Sequence, residues 1–82
     1  MKSEIFETAI KNRNRLRFLY GLNEVLIEPY YITMEKSGSK VIYGKIYQSS
    51  EIKKFNYNKI ANIKVLEKKR FSPIIPIIPL AS

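Results

Sequence analysis

The residues best suited to chemistry in this chain are tyrosines and lysines that alternate along one short segment. Tyr43, Lys45 and Tyr47 occupy every second position, so they share one face if the segment is a β-strand. Tyrosine rings stack on nucleic-acid bases at about 1–3 kcal/mol each, and ammonium groups pair with phosphates. The same alternation is also typical of a solvated strand face, where lysine protects against aggregation. Single-stranded nucleic-acid binding and simple solvation both remain open for this face.

Catalytic chemistry is disfavoured by the residue types that the chain lacks. There is no His, Cys, Asp or Trp, and the acidic residues are all glutamates. Zinc and iron sites usually require imidazole or thiolate ligands, and nucleophile pairs of the Ser-His or Cys-His kind require histidine. We therefore predict a non-enzymatic protein with no catalytic residue, no metal site and no cofactor.

The charge balance points to an anionic partner. Lys and Arg number 15 against 7 acidic residues, which gives a formal net charge of +8. Such an excess favours binding to a polyanion, either nucleic acid or a nucleotide-like anion. No apolar run approaches the roughly 20 residues that span a bilayer, and the N-terminus does not resemble a signal peptide. We expect a cytoplasmic protein with no membrane association.

The elements that must position these residues follow from the hydrophobic period. A helical apolar stripe of Ile5, Phe6, Ala9 and Ile10 predicts a helix over residues 3–13. Period-two alternation then predicts strands at residues 15–20, 25–34, 41–48, 52–57 and 60–66. Pro29 inside the second strand indicates an edge position or a bulge. One helix followed by five short strands predicts a mainly β fold, a small antiparallel barrel with an N-terminal helix.

In the third strand, Ile42, Gly44 and Ile46 alternate with the tyrosines and Lys45. If Ile42 and Ile46 belong to the core, then Tyr43, Lys45 and Tyr47 face outward. Arg17 lies on the first strand with Arg15, opposite Phe18, and is predicted to be a secondary phosphate contact.

The C-terminus differs in kind from the rest of the chain. Pro73, Pro76 and Pro79 fall at every third residue among isoleucines, which matches the turn of a polyproline II helix. We divide the chain into a barrel domain, residues 1–71, and a Pro/Ile-rich arm, residues 72–82. The arm either packs on its own barrel or docks on a partner protein or second copy through residues 73–80. The second alternative makes the protein an interaction or assembly module.

The spacing of Lys53, Phe55, Lys59 and Ile60 resembles the signature of the WYL domain, a bacterial module of transcriptional regulators and defence-associated proteins. Further matching positions, across about residues 5–73, are Ala9, Ile10, Tyr20, Pro29 and Phe71. The namesake Trp-Tyr-Leu triplet is absent. Both signature arginines are lysines here, which removes bidentate phosphate binding.

This resemblance implies an Sm-like or SH3-like barrel that senses a ligand. It also implies that the ligand, a nucleic acid or nucleotide-like anion, is bound by Lys53, Lys59 and Tyr43. We accordingly expect these three side chains to gather into a single anion-binding pocket.

Overall fold

The protein is mainly β, with one N-terminal helix and five antiparallel strands in one sheet. The computed structural model describes residues 2–70, and it describes side chains for residues 2–67. The elements are α1 (Lys2–Asn12), β1 (Asn14–Tyr20), β2 (Asn23–Met34), β3 (Lys40–Ile46), β4 (Ile52–Asn56), a 3-10 turn (Tyr57–Lys59) and β5 (Ile60–Arg70). The fold class expected from the sequence is thus confirmed, and β5 extends further than the predicted residues 60–66.

Helix α1 presents a buried stripe to the sheet. Phe6, Ala9 and Ile10 are buried at helical spacing, as predicted. Ile5 was expected on the same stripe but is 37% exposed, because it lies at the edge of the arc that these three residues form. The helix ends before Arg13, whose φ of 58° is left-handed and cannot continue it.

The sheet must curl, because its outer strands are joined by a very short connection. The strand order is β4-β3-β2-β1-β5, so β4 and β5 lie at opposite ends of the hydrogen-bonded sheet. In a flat sheet their separation would be about 19 Å. The turn Tyr57–Lys59 joins them, and the chain from the end of β4 to the start of β5 can span at most about 14 Å. The sheet is therefore rolled into a barrel-like shape.

Contacts between β1 and the region around β4 hold this rolled shape. The Tyr20 hydroxyl accepts a hydrogen bond from the Asn56 backbone N–H at 3.1 Å. The rings of Phe18 and Tyr20 pack edge-on against Phe55, with centroids 5.3 and 5.0 Å away. The Gly21 N–H also donates to the Lys59 carbonyl at 3.2 Å.

The core lies inside the rolled sheet, and α1 contributes to it. Phe6 packs edge-on against Tyr57 at 5.1 Å, which links the helix to the β4–β5 turn. The predicted core position of Ile42 is confirmed, and Ile46 packs against the same cluster. The buried cluster consists of Phe6, Ala9, Ile10, Leu16, Phe18, Ile27, Ile42, Phe55, Tyr57 and Ile60.

Pro29 lies in a strand with neighbours on both sides. Strand β2 lies between β1 and β3, so Pro29 is not in an edge strand, but the ladder with β1 ends at Ile27 and does not include Pro29. The alternative, a bulge, is confirmed by a register shift against β3 between Pro29 and Tyr31. A bulge accommodates the missing N–H of proline without breaking the rest of the ladder. Within residues 2–70, no helix has the length and apolarity needed to cross a membrane.

Candidate nucleic-acid interface

The outer face of the sheet carries most of the side chains that the sequence singled out. Phe18 and Ile42 point into the core. Because side chains alternate along a strand, Arg17 on β1 and Tyr43 and Lys45 on β3 lie on the opposite, outer face. The predicted facing of these residues is therefore confirmed, but their exposure differs sharply from one to the next.

Lys45 is on the outer face yet buried, and the expectation of an exposed lysine is wrong. The residue is only 7% exposed. Its Nζ lies 3.3 Å from Glu28 Oε1 and donates to the carbonyl oxygens of Ser49 at 2.9 Å and Ile46 at 3.5 Å. The ammonium group is thus ion-paired to one carboxylate and hydrogen-bonded to two backbone carbonyls. Lys45 is therefore not free to bind phosphate.

Glu28 holds an arginine as well as Lys45. The Arg15 Nε donates to Glu28 Oε2 at 3.0 Å, so each carboxylate oxygen of Glu28 has its own cation. Glu28 itself is 5% exposed. We call Arg15, Glu28 and Lys45 the ion cluster. The sequence did not reveal it, because its members come from three strands and only the register of the sheet aligns them.

Tyr47 lies directly after β3 and is anchored next to β2. Its backbone N–H donates to the Leu26 carbonyl at 2.9 Å. The side chain remains 38% exposed, and the Arg15 guanidinium carbon lies 4.7 Å from the ring centroid. This is a cation–π contact, which is a favourable arrangement for a guanidinium above an aromatic ring. Tyr47 is therefore an accessible ring whose position is fixed by its neighbours.

Arg17 and Lys64 form a like-charged pair on the same outer face. They are cross-strand partners between β1 and β5, and Arg17 also lies opposite Leu26. Neither has an acidic partner at ion-pair distance among residues 2–67. Both line a surface depression, together with Glu24 and Asn62. Like charges opposite each other destabilise a sheet, so this pair has a cost that a bound anion would relieve.

We call Arg15, Arg17, Tyr47 and Lys64 the basic patch. Arg15 and Arg17 are two residues apart on one face of β1, a spacing of about 7 Å. Leu26 on β2 is the cross-strand partner of Arg17, and its backbone carbonyl accepts a hydrogen bond from the Tyr47 N–H. Leu26 therefore lies between Arg17 and Tyr47. Arg17 and Tyr47 were predicted site residues, whereas Lys64 was not, because nothing but its charge distinguishes it in the sequence.

The single pocket expected around Lys53, Lys59 and Tyr43 is not formed. Lys53 pairs with Gly44, whereas the cross-strand partner of Tyr43 is Lys54. Cross-strand partners share a face, so Lys53 and Tyr43 point to opposite faces of the sheet. Lys53 is exposed at 3.8 Å from Glu51 Oε2. Lys59 is exposed in the 3-10 turn, with no acidic partner among the side chains described.

Tyr43 is engaged within its own row of the sheet. Its ring stacks on that of Tyr31, with centroids 4.8 Å apart and planes 14° from parallel. On the other side Lys54 is hydrogen-bonded and ion-paired to Glu35, which raises the pKa of the Lys54 ammonium. Tyr43 therefore has less free ring surface than Tyr47 for stacking on a ligand.

The chain matches no known protein-family model, no curated protein and no solved structure. The resemblance to WYL domains therefore rests on the residues quoted above and stays a prediction.

Proposed function

We propose that this protein is a non-catalytic module that binds single-stranded nucleic acid on its basic patch. The observation that supports this best is the accessible Tyr47 ring with Arg15 held over it. Arg17 and Lys64 lie on the same face of the sheet, without an acidic partner at ion-pair distance among residues 2–67. An aromatic ring between cations is the arrangement used by folds that bind single strands without strong sequence preference.

The distribution of acidic residues supports an anionic ligand for this patch. Glu28, Glu35 and Glu51 are already paired with basic side chains of the same molecule. Lys and Arg outnumber the acidic residues by eight, and within residues 2–67 Arg17 and Lys64 have no acidic partner at ion-pair distance. Phosphates of a nucleic acid would neutralise these groups and release bound counterions, which favours association at low salt.

A single strand fits the patch better than a duplex does. Tyr47 lies just past the end of a strand, on the surface of the sheet, and no described helix projects from this face. Bases in a duplex are stacked on each other, whereas bases of a single strand are free to stack on a protein ring. The patch would thus hold a base on Tyr47 and adjacent phosphates on the cations.

The resemblance to WYL domains supports a regulatory role for such binding. In that role, occupancy of the patch is passed to a partner protein in the cytoplasm. The arm at residues 72–82, which was predicted to dock on a partner, lies outside the described residues.

Two double variants, each reversing two positive charges, distinguish the basic patch from the site that the WYL resemblance implies at Lys53 and Lys59. Fluorescence anisotropy of a labelled oligothymidylate of about 12 nucleotides would be measured at about 50 and 200 mM salt. The double variant Arg17→Glu, Lys64→Glu should weaken binding at least about tenfold, because it replaces two phosphate contacts with repulsion. The matched control Lys53→Glu, Lys59→Glu should weaken it less than about threefold, because screened charges away from the patch contribute little.

Absence of binding by the unaltered protein at the lower salt would refute the proposal. A greater loss with the Lys53, Lys59 double variant would move the site to the residues that the WYL resemblance indicates.

A further inference from the structure

The ion cluster carries one more positive charge than negative. Arg15 and Lys45 share the single carboxylate of Glu28. The side chains of Glu28 and Lys45 are only 7% and 9% exposed, and that of Arg15 is 21% exposed. An unbalanced charge in a poorly hydrated position is unfavourable unless an anion compensates it.

The unused hydrogen-bond donors of the cluster belong to one residue. Both oxygens of Glu28 are occupied, and Lys45 is ion-paired to Glu28 and donates to the carbonyl oxygens of Ser49 and Ile46. Arg15 has five N–H donors in a fixed fork, and only the Nε–H is used by Glu28. Its two terminal nitrogens have no hydrogen-bond partner among the described residues. The free donors and the excess charge therefore coincide at the most exposed member of the cluster.

We infer that Arg15 is the principal phosphate-binding residue of the patch and takes one phosphodiester group through its two terminal nitrogens. A guanidinium fork matches two oxygens of one phosphate, and a phosphodiester supplies the single negative charge that the cluster lacks. The inference deepens the proposed function and rests on it.

Glu28 is the positioning residue for this contact. Its carboxylate accepts from the Arg15 Nε, while the Arg15 guanidinium carbon lies over the Tyr47 ring. The fork is thereby restrained before the ligand arrives, so less side-chain entropy is lost on binding. Lys45 fixes Glu28 from the other side and also holds the Ser49 carbonyl in the β3–β4 hairpin.

Substitutions at Arg15 test the inference through the salt dependence of binding. For the same labelled oligothymidylate, Arg15→Gln should weaken binding about tenfold and reduce the slope of log affinity against log salt by about 0.7, the value for one phosphate contact on a single strand. Arg15→Lys should keep the slope but lose affinity several-fold, because it keeps the charge and loses the fork. The control Arg13→Gln removes an equal charge from an exposed arginine after α1 and should change affinity by less than about twofold.

The same titrations distinguish failure of the inference from failure of the proposed function. If the unaltered protein binds and Arg15→Gln behaves like Arg13→Gln, Arg15 is not the phosphate contact, although the function stands. If the unaltered protein does not bind, the function itself fails.

Glu28→Gln separates positioning from charge. It makes the protein more positive, so electrostatics alone would tighten binding, whereas loss of positioning weakens it several-fold. Tighter binding would overturn the role given to Glu28. A thermal melt shows whether Glu28→Gln folds. If it does not fold, the difference in affinity and salt slope between Arg15→Lys and Arg15→Gln tests the phosphate contact of Arg15 by itself.

Discussion

Gly44 shows how a single missing side chain shapes the strand that carries the candidate site. A Cβ at this position would lie 2.8 Å from Ile27 Cδ1, 2.9 Å from the Glu28 carbonyl oxygen and 3.3 Å from Pro29 Cα. Two of these neighbours are backbone atoms of β2 and cannot move aside cheaply. Glycine is therefore required for β3 to pack closely against the bulge of β2.

We predict that Gly44→Ala destabilises the fold by about 1–3 kcal/mol, the usual cost of overpacking a tight site. Urea unfolding followed by circular dichroism would measure this. Gly21→Ala is the comparison, because a Cβ at Gly21 would meet nothing within 4 Å. The cost there comes only from holding alanine at a φ of 64°. If Gly44→Ala is as stable as the unaltered protein, the claim that β3 requires glycine to pack closely against β2 is wrong.

Lys45 shows what residue-level reasoning can and cannot predict. Period-two alternation correctly placed it on the outer face, with Ile42 and Ile46 facing the core. Its burial could not be predicted, because burial depends on Glu28 and on the hairpin carbonyl of Ser49. An outward-facing lysine in a sequence pattern is thus not equivalent to an available one.

At the scale of elements, α1 and the β4–β5 turn are held together through Tyr57. The Ser3 Oγ and the Tyr57 hydroxyl are hydrogen-bonded at 3.2 Å, and Lys2 Nζ donates to the Tyr57 carbonyl at 2.7 Å. Burial raises the pKa of Tyr57 above its ordinary value of 10.0, while the Ser3 contact opposes this rise and nearby Glu7 adds to it. The helix is therefore linked to the turn by polar contacts as well as by the Phe6 ring.

This raised pKa predicts a loss of stability in alkaline solution. Well below pH 10 the Tyr57 hydroxyl is protonated in both the folded and the unfolded protein, so its contribution to stability is fully present. As the pH rises, the hydroxyl is deprotonated first in the unfolded chain. The free energy of unfolding then falls until the pH has passed the pKa of the folded state. Lys54, whose pKa is also raised, acts in the same direction.

Comparison with Tyr57→Phe isolates the contribution of Tyr57. Near neutral pH the variant should be less stable by about 0.5–1.5 kcal/mol, because the bond to Ser3 is lost. Above pH 10 its stability should fall less steeply than that of the unaltered protein. Urea unfolding across this pH range gives both quantities, and parallel curves would contradict the assignment to Tyr57.

The register of β4 against β3 is the element-level feature that sequence reasoning could not supply. Lys53 and Lys54 are adjacent in sequence, and only one of them can share a face with Tyr43. The pairing of Tyr43 with Lys54 sends Lys53 to the other side of the sheet. The family pattern identified Lys53 by spacing alone, and spacing does not fix which strand partner it meets.

At the scale of the whole molecule, the core among the described residues joins α1, the 3-10 turn and all five strands. Its buried cluster runs from Phe6 to Ile60, with partly buried Ile63 and Val65 packed against it. The hypothesis that residues 73–80 dock on a partner or second copy falls outside the described residues. The fold and the basic patch can nevertheless be tested without that segment.

We predict that a chain ending at residue 71 folds cooperatively and binds the oligothymidylate within about twofold of the full-length protein, because the patch charges that dominate phosphate binding are retained. Thermal melting and anisotropy measure the two properties.

Light scattering of both chains tests the assembly alternative, which predicts a larger mass only when the arm is present. An unfolded short chain would mean that the arm is part of the fold.

The sequence by itself determined the element types and the strand faces, because hydrophobic period and turn chemistry act over neighbouring residues. It placed α1 and all five strands within a few residues of their observed bounds. Only the tertiary structure decided which charges meet. Arg15, Glu28 and Lys45 come from separate strands, so their contact depends on sheet register and on the bulge at Pro29. These are long-range features, and no local pattern of residues encodes them.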